Sequence, residues 1–268
     1  MKNGYKLTIL LLVSMAASAQ DTATNSYTQT NLVSDIAGMA TFTDPHLVNP
    51  WGLSRSASSF WWVSDNGTGV STLYNGAGTA QSLVVTIPPA TGTGAGTPTG
   101  TVEVGGKFVF VTLDGTISEW SSGSSAVKKV TNPGHVYKGV TSAKNGTVET
   151  IYVANSAGGI ETYSTAFASI PLGTGAFTDP SIPHGYTPYG IQAIGAKIYV
   201  TFSAGAGAGG YVDVFNPAGT LLLSLAQGWF DEPWGIAPPD GDFGLAAACP
   251  HVAATPERPR SHNSRISS

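Results

Sequence analysis

The phrase Pro50-Trp51-Gly52-Leu53 is the strongest indication of the fold, because it returns along the chain at a regular interval. Close copies are Pro188-Tyr189-Gly190-Ile191 and Pro233-Trp234-Gly235-Ile236, and weaker copies are Pro98-Thr99-Gly100-Thr101 and Tyr137-Lys138-Gly139-Val140. Their glycines fall at positions 52, 100, 139, 190 and 235, an average spacing of about 46 residues. A period in the forties with strand-like content is typical of the blades of a β-propeller.

Each copy is followed by the pattern of three more strands. An apolar run such as Phe60–Val63 or Ile151–Val153 comes first, and a turn rich in Asp, Asn or Gly follows it. Asp-Gly and Asn-Gly between β-rich runs predict hairpins, because few other residues accept the positive φ that such turns need. An alternating strand that ends on an aromatic residue comes next. The fourth strand of each repeat is expected in the last stretch before the next copy, at Leu83–Ile87, Ala126–Val130, Phe167–Ile170 and Leu221–Leu225.

The sequence therefore predicts an all-β fold, a β-propeller of four-stranded blades, with about four blades, the start of a fifth and an incomplete ring. The propeller is predicted over 31–244, after a signal peptide over 1–19 and a disordered N-terminus over 20–30. A strand near Tyr27–Val33 is expected to complete the last blade. The predicted blades cover about 50–88, 98–131, 136–171 and 186–226, and the fifth opens at 233.

The first nineteen residues have the pattern of a signal peptide. Lys2 and Lys6 are the basic end, Leu7–Val13 is the apolar core, and Ala17-Ser18-Ala19 is a small-residue cleavage site. The apolar core is too short for a stable membrane anchor. We therefore predict bacterial-type export to a secreted or periplasmic location, with no membrane span after cleavage.

Charge and cysteine content limit the partners. The formal net charge is −4, so the chain lacks the basic footprint that nucleic-acid binding needs. The only cysteine, Cys249, has no second cysteine for an intrachain disulfide.

The repeat pattern stops near Gly244. Arg55 is the only arginine before Arg258, yet three arginines lie between 258 and 265. We interpret 245–268 as a non-repeat disordered tail that follows an interruption of the gene or reading frame, so that the chain is truncated. A natural disordered tail is the alternative.

Two hairpin segments resemble NHL-type repeats: Ile151-Tyr152-Val153-Ala154-Asn155 and Gly159-Ile160-Glu161-Thr162-Tyr163. Longer phrases, among them 43–52 (TDPHLVNPWG) and 211–215 (YVDVF), resemble a family of uncharacterised exported bacterial propeller proteins, some with a C-terminal sorting signal. The resemblance covers roughly 30–244. It departs after Gly244 and in the second blade, which reads as abbreviated around Val102–Lys107. It implies a propeller fold and no particular activity.

Candidate metal ligands follow the apolar runs. Asp65, Asp114 and Asn155 come where inner strands end, and their oxygens suit Ca²⁺ at the mouth of a propeller channel. The alternative is that each caps a β-turn, which Asp and Asn do readily. No cofactor is expected apart from this candidate calcium ion.

Among the five histidines, His46 and His184 follow prolines in loops that enter a blade. They are candidate ligand-binding residues, with chance polar loop positions as the alternative. The recurring aromatics Trp51, Tyr189 and Trp234 favour contacts between blades over a ligand platform. No G-x-S-x-G nucleophile motif or phosphate-binding loop occurs in the sequence.

Two functions follow from this pattern. The first is an exported non-catalytic propeller, a scaffold that binds an envelope protein or a glycan. The alternative is a divalent-ion-dependent propeller hydrolase or lactonase. Self-association through open blade edges is also expected, because unpaired edges are templates for pairing.

Overall fold

The computed structural model describes residues 30–237 and the backbone of 251–254, without the side chains of 225–229. The predicted signal peptide, nearly all of the predicted disordered N-terminus and most of the predicted tail lie outside these residues. Within them every regular element is a strand. No described segment is a helix long and apolar enough to cross a bilayer.

The strands form four consecutive antiparallel sheets, which are the blades. Blade one contains β3 (Pro50–Ser54), β4 (Trp61–Asp65), β5 (Val70–Tyr74) and β6 (Val85–Thr86). Blade two contains β7 (Pro98–Val104), β8 (Lys107–Thr112), β9 (Thr116–Trp120) and β10 (Val127–Thr131). Blade three contains β11 (Tyr137–Asn145), β12 (Val148–Asn155) and β13 (Gly159–Ser164). Blade four contains β14 (Thr187–Ile194), β15 (Lys197–Ser203), β16 (Gly210–Phe215) and β17 (Leu221–Phe230).

Two short pairs flank the blades. Near the start, β1 (Val33–Ser34) and β2 (Phe42–Thr43) pair in parallel. After blade four, β18 (Pro233–Ala237) pairs with β19 (His251–Ala254) in antiparallel register and begins a fifth sheet. The prediction of an all-β propeller with four blades and the start of a fifth is confirmed.

The glycine of the repeated phrase is required where neighbouring blades meet. A Cβ on Gly52 would lie 2.6 Å from the Thr99 carbonyl oxygen, and one on Gly190 would lie 2.0 Å from the Trp234 carbonyl oxygen. Cβ atoms do not approach other atoms so closely, so only glycine allows these inner strands to touch. The first strands β3, β7, β11, β14 and β18 thus follow one another around a common axis.

The hydrophobic core lies between blades. Between blades one and two, the Trp62 and Phe108 rings stack with centroids 4.2 Å apart. Between blades two and three, Val109 and Val111 pack against Tyr137 and Ile151. Blades three and four share a third cluster that contains Tyr152, Phe177 and Phe215. Alternating apolar residues of each blade therefore bury themselves against the next blade, as stacked repeats do.

The blades differ from the sequence prediction in two places. The fourth stretch of blade three, Phe167–Ile170, forms one bridge between Tyr163 and Ser169 and no strand. This stretch turns back immediately after β13, with Phe167 at a positive φ of 64°, and it pairs with β13 through backbone hydrogen bonds from Ser164 N to Ala168 O and from Ile170 N to Thr162 O. Blade two, expected to be abbreviated around Val102–Lys107, has four full strands, because a two-glycine turn at 105–106 joins β7 and β8.

Both ends of the propeller differ as well. Val33 packs on Leu47, Val63 and Tyr74 of the first-blade region, so the described part of the N-terminal segment does not complete the last blade. In the tail predicted to lack strands, the backbone of β19 pairs with β18. The edge of β18 explains this pairing, because unpaired backbone groups at the edge of a strand are a template for another strand.

Candidate axial binding site

A cavity of about 490 Å³ lies on the axis of the propeller. Its walls come from the first strand of every blade and from β18, with side chains that include Trp51, Leu53, Ile191, Trp234 and Ile236. Small-molecule sites usually occupy about 300–1,000 Å³ and combine mostly apolar walls with a few polar groups. The axial cavity has this size and this character.

Three aromatic side chains from the repeated phrase lie together, and two of them, Trp51 and Trp234, line the cavity. The Trp51 ring lies 5.6 Å from the Trp234 ring in an edge-to-face arrangement and 6.3 Å from the Tyr189 ring. All three residues are only half-buried. The sequence favoured blade-to-blade contact for these residues, and the structure shows that contact together with aromatic surface left open.

Lys138 is the fourth side chain of this group. Its Nζ lies 5.2 Å from the centre of the Trp51 ring and 5.3 Å from that of Tyr189, both within cation–π range. Its backbone carbonyl accepts a hydrogen bond of 2.9 Å from Trp234 Nε1. Burial lowers the pKa of the Lys138 ammonium, and the nearby Glu232 carboxylate partly offsets this effect.

The repeat explains why these four side chains meet. Each occupies the second position of a copy of the phrase, directly before the glycine at which neighbouring strands touch. Equivalent positions on strands arranged around an axis point to the same region of space. Sequence reasoning missed Lys138 although the copy Tyr137-Lys138-Gly139-Val140 had placed it in register with Trp51.

The predicted metal ligands lie in three different blades, and each is hydrogen-bonded within its own neighbourhood. Asp65 Oδ2 accepts hydrogen bonds from the backbone and hydroxyl of Thr72. Asp114 accepts from the Ala90 amide at 2.7 Å and from the hydroxyls of Thr112 and Thr116.

Asn155 Oδ1 accepts from the amides of Val136 and Ala157. In the described residues, no three His, Cys, Asp or Glu side chains are grouped so that they could hold a metal ion. Calcium binding at Asp65, Asp114 and Asn155 therefore stays a prediction.

Asp65 has an unusual environment. The residue is fully buried, and its Oδ1 has no hydrogen-bond partner in the described structure. Burial raises the pKa of Asp65 to about 7, a shift that the Thr72 hydrogen bonds oppose and the Asp44 carboxylate reinforces. Near neutral pH this carboxyl group therefore exists in both protonation states.

The two predicted ligand-binding histidines lie apart from the axial cavity. His46 is exposed, and its Nδ1 lies 3.1 Å from Asp44 Oδ1 in the segment that leads into blade one. His184 is exposed in the segment before blade four, where it lines a separate cavity of about 620 Å³ together with Phe177, Tyr186 and Phe202. Neither residue lines the axial cavity, and their ligand-binding roles stay predictions.

A polar network within blade three was missed by sequence reasoning. Glu161 accepts hydrogen bonds from the hydroxyls of Tyr137 at 2.9 Å and Tyr163 at 2.6 Å and from Asn155 Nδ2 at 2.6 Å. Its Oε1 also lies 2.7 Å from His135 Nδ1. Burial, reinforced by the Glu161 hydrogen bond, raises the pKa of Tyr163 to about 12, so the hydroxyl stays protonated and donates.

The register explains this network. Thr72 of blade one pairs with Val63, and Glu161 of blade three pairs with the equivalent Val153. The preceding strands end on Asp65 and Asn155, which contact Thr72 and Glu161 respectively. The same two positions thus form a polar contact in both blades. The signal in the sequence was the Glu in 160–163 (IETY), at the central polar position of the third strand.

Comparisons with known proteins agree with the architecture. No family model matches the chain. Two relatives are known from Acanthamoeba polyphaga mimivirus, both called uncharacterized proteins. R648 is 25% identical over 245 residues, covering 80% of this chain and 61% of its own length, and L690 is 24% identical over 249 residues, covering 80% and 65%. The chain thus spans less than two thirds of the length of these relatives, which are viral where the resemblance had implied bacterial proteins.

Two solved structures with similar folds are lyases. A streptogramin B lyase superposes with a TM-score of 0.53 at 14% identity, covering 72% of this chain and 59% of that one. A catalytically inactive virginiamycin B lyase from Staphylococcus aureus, determined with quinupristin, has a TM-score of 0.53 at 15% identity and covers 73% and 62%. At such identities the likeness shows the propeller fold alone, because one fold carries many functions.

Proposed function

We propose that this chain is an exported, non-catalytic β-propeller scaffold that binds a glycan through the axial cavity. The observation that carries the proposal is that Trp51 and Trp234, both half-buried, lie on the wall of a cavity of about 490 Å³, with the Tyr189 ring 6.3 Å from Trp51. The rings of sugars have apolar C–H faces that stack on aromatic rings. Their hydroxyls need only a few polar partners.

A glycan fits the walls of the cavity better than a protein partner does. Protein interfaces that bind stably bury about 1,200–2,000 Å² in total, which requires a broad surface. Trp51 and Trp234 instead lie on the wall of a cavity that forms where five strands meet. Polar groups on its lining include Thr101 and Gln192, which are suited to hydroxyl groups.

The test is glycan binding by the purified chain, first on an array of immobilised oligosaccharides and then by calorimetry. Trp234→Ala removes one aromatic wall, and Phe42→Ala removes an exposed aromatic ring outside the cavity as a matched control. We expect Trp234→Ala to weaken binding at least about tenfold, which corresponds to about 1.4 kcal/mol, while Phe42→Ala binds as the native chain does. Equal binding by both variants, with native-like thermal melting, would place the glycan elsewhere.

A further inference from the structure

Lys138 carries a charge that forms no ion pair with the residues that the structure describes. The ion pairs in the described structure all involve other cations. Lys107 and Lys129 lie 3.1 and 3.2 Å from Glu119, and the remaining pairs use His46 and His135. Glu232 acts on Lys138 only through its longer-range field. The Lys138 ammonium is thus half-buried against aromatic faces without a carboxylate at contact distance.

Such an ammonium attracts an anion from outside the chain. Removing a cation from water is unfavourable unless an opposite charge or good hydrogen-bond acceptors replace the water. The Trp51 and Tyr189 faces supply part of this replacement as cation–π contacts. The three donor hydrogens of the ammonium still favour an oxygen acceptor.

No carboxylate on the wall of the neighbouring cavity would repel an acidic ligand, although Glu232 lies close enough to Lys138 to act on its charge. No Asp or Glu is among the residues that line it, although the whole chain has a net charge of −4. Trp51 belongs both to the cavity wall and to the cation–π contact. Trp51 is therefore the side chain that joins the cavity to the Lys138 ammonium.

We propose that the axial site selects glycans that carry a carboxylate, such as uronic or sialic acids, and that Lys138 pairs with this group. The proposal rests on the proposed glycan-binding function and adds the class of sugar. Charge-assisted hydrogen bonds of this kind are shorter and stronger than neutral ones. They also discriminate more sharply when, as here, the donor is partly removed from water.

The test compares ligands that differ only in charge. The probes are oligogalacturonates, glucuronate-bearing and sialylated oligosaccharides, each measured beside its carboxyl methyl ester by calorimetry with the full chain. We expect the native chain to bind at least one acid about tenfold more tightly than its ester, with a preference that shrinks as salt is raised. Lys138→Met should abolish the preference, and Lys138→Arg, which keeps the charge, should retain it.

Lys144→Met is the matched control, since Lys144 lies on the same strand β11 and is exposed. It should behave as the native chain does. Equal binding of acids and esters by the native chain would overturn the role of Lys138 and leave glycan binding intact. Absence of binding to every acidic and neutral glycan would overturn both proposals. Because the acid–ester comparison uses the native chain, it decides the question even if Lys138→Met fails to fold.

Discussion

At the scale of single residues, Asp65 makes stability depend on pH. Its pKa is about 7 in the folded chain, against an ordinary value of 3.8, so the folded state binds the extra proton. Stability from this group is complete below about pH 4 and is lost as pH rises toward 7. Asp213, whose pKa burial raises to about 6, contributes with the same sign.

We predict that Asp65→Asn, which resembles the protonated side chain, removes part of this pH dependence. The melting temperature of the variant relative to that of the native chain should rise between pH 5 and pH 8. The corresponding gain in the relative free energy of unfolding is about a few kcal/mol at most. Asp35→Asn, at an exposed carboxyl group, is the control and should show a constant difference. Thermal melts at several pH values measure both, and a difference for Asp65→Asn that does not change with pH would contradict the prediction.

Glu161 illustrates the opposite case, a partly buried carboxylate whose partners are all present. Glu161→Gln replaces one acceptor oxygen with a donor that would face the Tyr137 and Tyr163 hydroxyls or the His135 and Asn155 nitrogens. We expect a loss of about 1–3 kcal/mol of stability. Denaturant unfolding measures it, with Glu149→Gln as a control outside the network. A loss no larger than that of the control would show that the network contributes little.

At the scale of strands, the glycine at the third position of the repeated phrase controls how closely neighbouring blades approach each other. In Gly190→Ala the new Cβ would lie 2.0 Å from the Trp234 carbonyl oxygen, so β18 must move away from β14. We expect a loss of about 1–3 kcal/mol or more, seen as a melting temperature lower by about 2–4 °C per kcal/mol. Gly76→Ala, where no atom lies within 4 Å of the new Cβ, should change stability by less than about 0.5 kcal/mol. If both substitutions had similar effects, the close approach of neighbouring strands would not explain why glycine recurs in the repeated phrase.

The same strands show what the sequence could predict. The repeated glycine and the alternating apolar residues identified the blades, because both patterns record contacts that every blade makes in the same way. The short outer edge of blade three depends on one local turn at Phe167, which no repeat encodes. The Lys138 contacts with Trp51 and Tyr189 join residues that lie far apart in the chain, so they follow only once the strands are placed around the axis.

At the scale of the whole molecule, apolar surface is concentrated beside blade one. Five of the ten large apolar side chains exposed in the described structure lie between Leu32 and Phe60 and outside the axial cavity, and they include Ile36, Met39 and Phe42. Apolar side chains exposed close together in one region of a chain are candidates for an interaction surface. Charged residues make up only 10% of the chain, so little electrostatic repulsion keeps two copies apart.

We therefore predict that the chain self-associates through the face beside blade one. Light scattering over a range of concentrations should show an increase in mean mass, and raising salt should not reverse it, because burial of apolar surface drives the association. The double substitution Ile36→Ser and Phe60→Ser should shift the association to higher concentration by about tenfold or more, since each buried apolar side chain is worth about 1.5–3 kcal/mol. Val148→Ser, at the first residue of β12 and 53% exposed, removes a comparable apolar group away from this face and should have no such effect. A native chain that stays monodisperse at every concentration would contradict the prediction, because the exposed side chains beside blade one would then be ordinary surface residues.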